Sequence, residues 1–267
     1  MPALFGRQPG PRQRHDSEAW HSTSAGTTLA TWIAAKADPL SLEHLLPSGF
    51  TLAEPLLIVE AISLHGLPWL AGRGYDMLLV STPVIFATGT GPCRGRLELV
   101  TWEDCPDAIV SGRDELGWNK VYADNLSRFT AADGNTIQYR AAWHGARFFE
   151  MNVTLTRGIP RRSGWRKGPL MHYRVIPRTG VWDRLDVEQV TAHTVSPPLT
   201  RMRALRSATG TFRFHPASFE ELPTLCHIVN RLADIPLGEV VDAGHARTAG
   251  WSDIHDIHIL QSSTDPG

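Results

Sequence analysis

Strand-length runs of β-branched and aliphatic residues, punctuated by turn residues at short intervals, constrain this chain more than any other feature. PLLIVEAISLHG, MLLVSTPVIF, ARFFEMNVTLT, MHYRVIP, LDVEQVTAHTVS and TRMRALRSATGTFRFHP follow one another along the sequence. Their stiff branched and flat aromatic side chains suit a pleated surface. Gly72 and Gly74 mark a bend, and Asp133-Gly134 turns a hairpin within VYADNLSRFTAADGNTIQYRAAW. RGRLELVTWED alternates as a half-exposed strand. TTLATWIAAKADPL opens with a strand and ends at the Asp38-Pro39 turn, and Val240 to Ala246 reads as a last strand.

Helical signals are few. SLEHLLPSGF reads as a short helix starting at Ser41 and stopped by Pro47. In SFEELPTLCHIVNRLADIP, Leu222, Leu225, Val229 and Leu232 recur at helical spacing, and Ser218 with Glu221 fits a capping box. The pattern predicts a mainly β (α+β) fold, largely antiparallel, with one or two helices.

The 267 residues suffice for a sizeable core, and no internal repeat or linker divides them. The expected organisation is a loose N-terminal arm over 1–27, one domain over 28–250 and a loose tail over 251–267. Trp20 is the arm's candidate anchor on a partner subunit. With 26 Lys+Arg against 27 Asp+Glu, no overall field points to nucleic acid or an anionic membrane. The basic stretch RGIPRRSGWRKG is read as a solvated loop or the rim of a site for an anionic substrate. Three widely spaced cysteines argue against a disulfide framework and for a reducing compartment. No apolar run reaches the ~18–20 residues of a membrane span, and the N-terminus lacks the apolar core of a secretory signal. A cytoplasmic protein is the expectation.

The chemistry concentrates in GRDELGWNKVYAD, residues 112–124. Lys120 sits where a short turn (Gly112, Gly117, Asn119) hands over to an apolar run, with Trp118 before it and Val121 and Tyr122 after it. Two readings stand. A lysine can bury its stem and leave its head in water. Alternatively, a desolvated lysine loses the ordinary pKa of about 10.4 and becomes a nucleophile for a carbonyl carbon. Glu60, between Val59 and Ala61, is either a strand end facing solvent or a carboxylate that must be paired or functional. His255 and His258 in DIHDIH have a metal-compatible spacing, but no third ligand is implied and a solvated tail is the simpler reading.

GRDELGWNKVYAD resembles the signature of the acetoacetate decarboxylase family, and residues 52–84 and LMHYRVIP (170–177) resemble flanking segments of that family in the same order. The likeness covers roughly residues 30–250. It implies a barrel-like antiparallel core, a homo-oligomer, and Lys120 as the Schiff-base lysine with Glu60 as an active-site carboxylate. It implies no metal or organic cofactor, since the lysine itself forms the imine; the partner is a small-molecule carbonyl substrate.

Three family features are missing. The lysine next to the nucleophile is Val121 here, so desolvation alone would have to free the amine. The second glutamate falls on Met77, with Asp76 beside it on the opposite strand face. The first-strand arginine has no counterpart in TSAGTTLATW. The substrate pocket is therefore expected from Tyr75, Asp76, Met77, Trp118 and Val121. The implied chemistry is decarboxylation of a β-keto acid through an enamine; aldol-type condensation or dehydration through the same imine, or a non-catalytic binding module, are the alternatives.

Overall fold

The computed structural model describes residues 23–159, 164–193, 201–251 and 257–263. The strands are β1 (Thr23–Ala37), β2 (Phe50–Leu52), β3 (Leu56–Leu67), β4 (Arg73–Thr88), β5 (Gly91–Glu103), β6 (Lys120–Tyr122) and β7 (Asn125–Thr130). They continue with β8 (Thr136–Trp143), β9 (Ala146–Leu155), β10 (Leu170–Pro177), β11 (Leu185–His193), β12 (Arg201–Phe214), β13 (Leu237–Trp251) and β14 (Ile257–Ser263). The α-helices are α1 (Pro39–Glu43), α2 (Pro106–Ser111) and α3 (Cys226–Ala233).

One open sheet runs β14-β11-β10-β5-β4-β3-β1-β13-β12-β9-β8-β7, with β2 added to β4 and β6 to β5. Pairings are antiparallel except that β10 and β6 run parallel to β5. β12 changes partners midway: Arg201–Ser207 pairs with β13, and Ala208–Phe214 with β9. This hand-over lets the β7–β9 portion fold back across β3–β5, giving a barrel-like curl without closure. Trp102 packs against Phe148 at 5.1 Å and Phe214 at 6.2 Å, and the Tyr139 hydroxyl donates to the Met77 carbonyl at 3.1 Å. Leu57, Val59, Leu78, Val80, Val100 and Trp102 bury themselves in this core.

Side chains alternate across a strand, so the other face of β3–β5 carries a different set: Glu60, Met77, Leu79, Ser81, Glu98, Thr101 and Glu103. Most are buried too, Glu98 at 1% and Glu103 at 0% exposure. The expectation of a half-exposed strand over RGRLELVTWED is thus corrected: β5 is covered on both faces, by the main core on one and by α2 and the Trp165 turn on the other, with β10 along part of its edge.

Several boundaries differ from the sequence reading. β1 already begins at Thr23, within the expected arm, because it pairs with Trp251 and the rest of β13. The expected loose tail carries β14, which pairs with β11 from Glu188 to His193. The remaining arm, with Trp20, lies outside the described residues. The first helix starts earlier, at Pro39, because Asp38 accepts from the Ser41 amide at 2.8 Å as its N-cap. The last starts later, at Cys226. The Ser218/Glu221 bonds form (2.9 and 3.3 Å) but close only a turn, since Pro223 cannot supply an amide. Leu222, Leu225, Val229 and Leu232 are nonetheless buried together.

Candidate active site

The lysine is delivered by a tight reversal of the chain. α2 runs into a π-turn over Gly112–Leu116, closed by Gly117 at φ 86°. A side chain at Gly117 would be strained in that region and would place Cβ 2.8 Å from Arg174 Cβ. The Trp118 amide returns to the Gly112 carbonyl at 3.0 Å, and Lys120 is laid beside Thr101 of β5. At Gly112 the need is space: a Cβ there would lie 2.5 Å from both Cδ and Cε of Lys120.

Lys120 is 7% exposed. Its Nζ stands 2.8 Å from Glu103 Oε1, donates to the Ala108 carbonyl at 3.2 Å and lies 5.1 Å from the Trp118 ring centroid. Burial pushes the Glu103 carboxyl above the ordinary glutamate range; the Lys120 charge pulls it back in part, while Glu98 and Asp104 add to the rise. Its Oε2 has no hydrogen-bond partner among the described residues. Burial, and then the Glu103 charge, push the Tyr75 phenol well above 10. The sequence reading asked for an amine freed by desolvation alone. The structure instead sets a buried carboxylate of raised proton affinity against it, a group able to take the ammonium proton.

A second group of side chains adjoins the first. His172, fully buried, is hydrogen-bonded through Nδ1 to Glu98 Oε2 at 2.5 Å. Glu98 also accepts from the Thr101 hydroxyl and from the Asn119 amide at 2.9 Å. The imidazole stacks on Trp118 at 4.3 Å, and its Nε2 has no hydrogen-bond partner among the described residues. A carboxylate-held imidazole next to an indole that covers the lysine is the layout of an oriented acid–base.

Glu60 is buried on the same sheet face but is engaged by Arg96, whose Nη1 also reaches the Ser81 hydroxyl at 3.3 Å. Arg96 lies 5.1 Å from the ring of buried Trp165, and Arg166 is stacked between Trp32 and Trp165 at 3.9 and 4.1 Å. The basic stretch is therefore packed on the sheet at its Trp165–Arg166 end; residues 160–163 lie outside the described residues.

Of the expected pocket residues, Met77 pairs with Glu103 across β4 and β5 and shares the lysine's face, as does Tyr75 two residues before it. Trp118 covers the amine. Asp76 faces the other way: it pairs with Ser63 and receives no contact from Lys120, and burial raises its carboxyl. Val121 also faces away, against the main core. Adjacent strand residues diverge, so Val121 does not line the amine's surroundings. The sequence reading passed over Glu98, Glu103 and His172. The test applied to Glu60, a carboxylate among apolar neighbours, would have found Glu98 between Leu97 and Leu99, and Glu103 after Trp102. His172 in MHYRVIP carries no such signal.

His258 is exposed on β14 and His255 lies outside the described residues. Among the described residues no three His, Cys, Asp or Glu side chains gather as a metal site.

A family model described as acetoacetate decarboxylase matches residues 11–255. The fold is similar to that of an acetoacetate decarboxylase from Legionella pneumophila subsp. pneumophila str. Philadelphia 1, at 18% identity and TM-score 0.71, over 97% of this chain and 94% of that one. It is similar to the enduracididine biosynthesis enzyme MppR complexed with pyruvate, at 16% identity and TM-score 0.65, over 97% and 98%. MppR has also been solved with the condensation product of pyruvate and imidazole 4-carboxaldehyde. An acetoacetate decarboxylase-like enzyme from Sphingomonas wittichii RW1 aligns at 18% identity and TM-score 0.65, over 96% and 98%. No protein of curated function matches the sequence.

Proposed function

The chain belongs to the acetoacetate decarboxylase family, and from that premise we propose that it is a Schiff-base enzyme acting on a keto acid through Lys120. The observation that carries this reading is the Lys120–Glu103 pair, buried and 2.8 Å apart. Glu103 takes the ammonium proton, and the neutral amine adds to the substrate ketone. Loss of water leaves a protonated imine beside the carboxylate. That imine accepts the electron pair released when the bond to CO₂ breaks, giving an enamine. Protonation of the enamine carbon and hydrolysis return the ketone and the lysine. Arg96, bonded to Glu60 on the same face, is proposed to hold the substrate's carboxylate before it leaves, in place of the first-strand arginine this sequence lacks.

Aldol-type condensation through the same imine is the second reading. The His172–Glu98 pair favours it, because forming an enamine by proton removal needs an oriented base. The fold shared with MppR, solved with a condensation product, agrees with it.

Borohydride trapping tests both. The protein is incubated with acetoacetate, pyruvate or larger ketones and aldehydes, then reduced, weighed intact and peptide-mapped, with Lys120→Ala as control. An adduct on Lys120 with CO₂ release supports the decarboxylase reading. An adduct without CO₂ release supports the aldol-type reading. Correctly folded protein that gives no adduct with any carbonyl is a binding module instead.

A further inference from the structure

We infer that a cavity on the reverse side of the sheet from the Lys120 amine is a separate binding site for an amphiphilic anion, a carboxylate carried on an aliphatic chain. β10 and β6 share one edge of β5 but leave it split: β10 pairs only as far as Met171↔Leu97, and β6 begins at Thr101↔Lys120. The split opens into a cavity of about 570 Å³, within the size range of small-molecule sites. Leu97, Leu99 and Val121 form its floor, and Ile228 and Leu232 of α3 its roof. Lys120 points to the opposite face, since side chains alternate along β6. The site therefore lies beyond the lysine chemistry and does not depend on it.

The chemistry of the lining selects the ligand. Hydrocarbon walls favour a chain of methylenes over a sugar or a base. The permanently cationic groups are two guanidiniums, Arg113 and Arg231, with the imidazole of His227 beside them in the lining. Arg231 is exposed and has no partner among the described residues. Arg113 uses Nη1 on the Lys120 carbonyl at 2.9 Å, which leaves the rest of its planar fork available. Ile228 and Arg231, three apart on α3, sit next to each other on the helix surface, so one element presents both an apolar contact and a charge. Glu98 lines the cavity, but its carboxylate is committed to His172, Thr101 and Asn119. The two arginines are thus met by no competing anion inside.

Isothermal titration of the full chain with sodium octanoate, 1-octanol and sodium acetate tests this. Octanoate should bind saturably at one site per chain, and the neutral alcohol and the short acid at least tenfold more weakly. Arg231→Glu should weaken octanoate at least tenfold. Ile228→Trp, which fills the cavity, should do the same, with unchanged circular dichroism showing that both variants fold. Lys120→Ala should bind octanoate within twofold of wild type, whether or not Lys120 proves to form an imine. The proposal is overturned if octanoate shows no saturable binding, including through self-association that seals the cavity. It is equally overturned by octanol binding as well as octanoate, by indifference to both variants, or by loss of binding in Lys120→Ala, which would place the ligand on the other face.

Discussion

Lys120 and Glu60 stand in one cross-strand row, three strands apart, and each is held by a different partner. The row runs Trp32, Glu60, Leu79, Thr101, Lys120 across β1, β3, β4, β5 and β6. At ~4.8 Å per strand the two backbones are about 14 Å apart on a flat sheet. Glu60 is bonded to Arg96 and Lys120 to Glu103. In the proposed reaction, proton transfer at the amine falls to Glu103, the carboxylate beside it, and Glu60 is the residue that fixes the Arg96 guanidinium.

Glu103→Gln keeps the shape and an oxygen that accepts from Nζ, but it cannot take the proton. Borohydride trapping on Lys120 should slow by about 10²–10⁴-fold, the usual worth of a positioned acid–base group. Burial raises the Glu103 carboxyl, so it remains protonated to a higher pH than an ordinary glutamate. The wild-type trapping rate should then fall on acidification at a pH above ~4.3, and the variant should lack that acid limb. Trapping within threefold of wild type across the pH range would remove Glu103 from the reaction.

Gly112→Ala tests whether room for the lysine tail is what this glycine supplies. The backbone there is ordinary α-helical at φ −64°, so alanine adds no local strain, yet its Cβ would lie 2.5 Å from Cδ and Cε of Lys120. The lysine must swing off Glu103. Trapping should drop at least tenfold, equivalent to about 1.4 kcal/mol, while β6 and the fold remain. An unchanged trapping rate would mean that the tail has a second productive position.

Arg96→Lys keeps the charge and loses the planar fork that can grip a carboxylate while bonded to Glu60. If Arg96 anchors the substrate, KM for a keto acid should rise about tenfold with kcat within threefold, and trapping of a neutral ketone should not change. Equal loss for neutral and anionic substrates would make Arg96 a purely structural partner of Glu60.

What the sequence made legible follows from what is local. Strand runs, the Asp133-Gly134 hairpin and the Lys120 signature depend on neighbours in the chain, and they could be read there. The burial of β5 on its second face depends on α2 and on the Trp165 turn, which comes some sixty residues later; no periodicity within RGRLELVTWED encodes that cover. A similar distance hides His172, whose role comes from Glu98, seventy-four positions away. Alternation, by contrast, was available in the sequence: it correctly set Asp76 on the face opposite Met77, and applied to Lys120 and Val121 it would have removed Val121 from the amine's surroundings.

His245 should make the fold acid-sensitive in a defined window. The ring lies between Thr31 of β1 and Arg206 of β12, with Nδ1 2.9 Å from the Thr31 hydroxyl. Burial, then the charges of Arg128 and Arg206, lower it from 6.5 to about 4, against a smaller opposing bond at Ala30. The folded ring thus binds fewer protons than the unfolded one between those values. Stability from this group is complete above pH 6.5 and declines as pH falls towards 4. The full shift corresponds to ~3 kcal/mol, which solvent screening at a partly buried ring reduces to about 1–2 kcal/mol. Buried carboxyls such as Glu103, Asp76 and Asp104, all raised by burial, titrate in the opposite sense, so wild type alone does not isolate the effect. The difference between wild type and His245→Gln in urea unfolding, measured at pH 7.0 and pH 4.5, does. Wild type should lose about 1–2 kcal/mol more than the variant on acidification, and equal losses would mean that the folded protein accommodates the imidazolium.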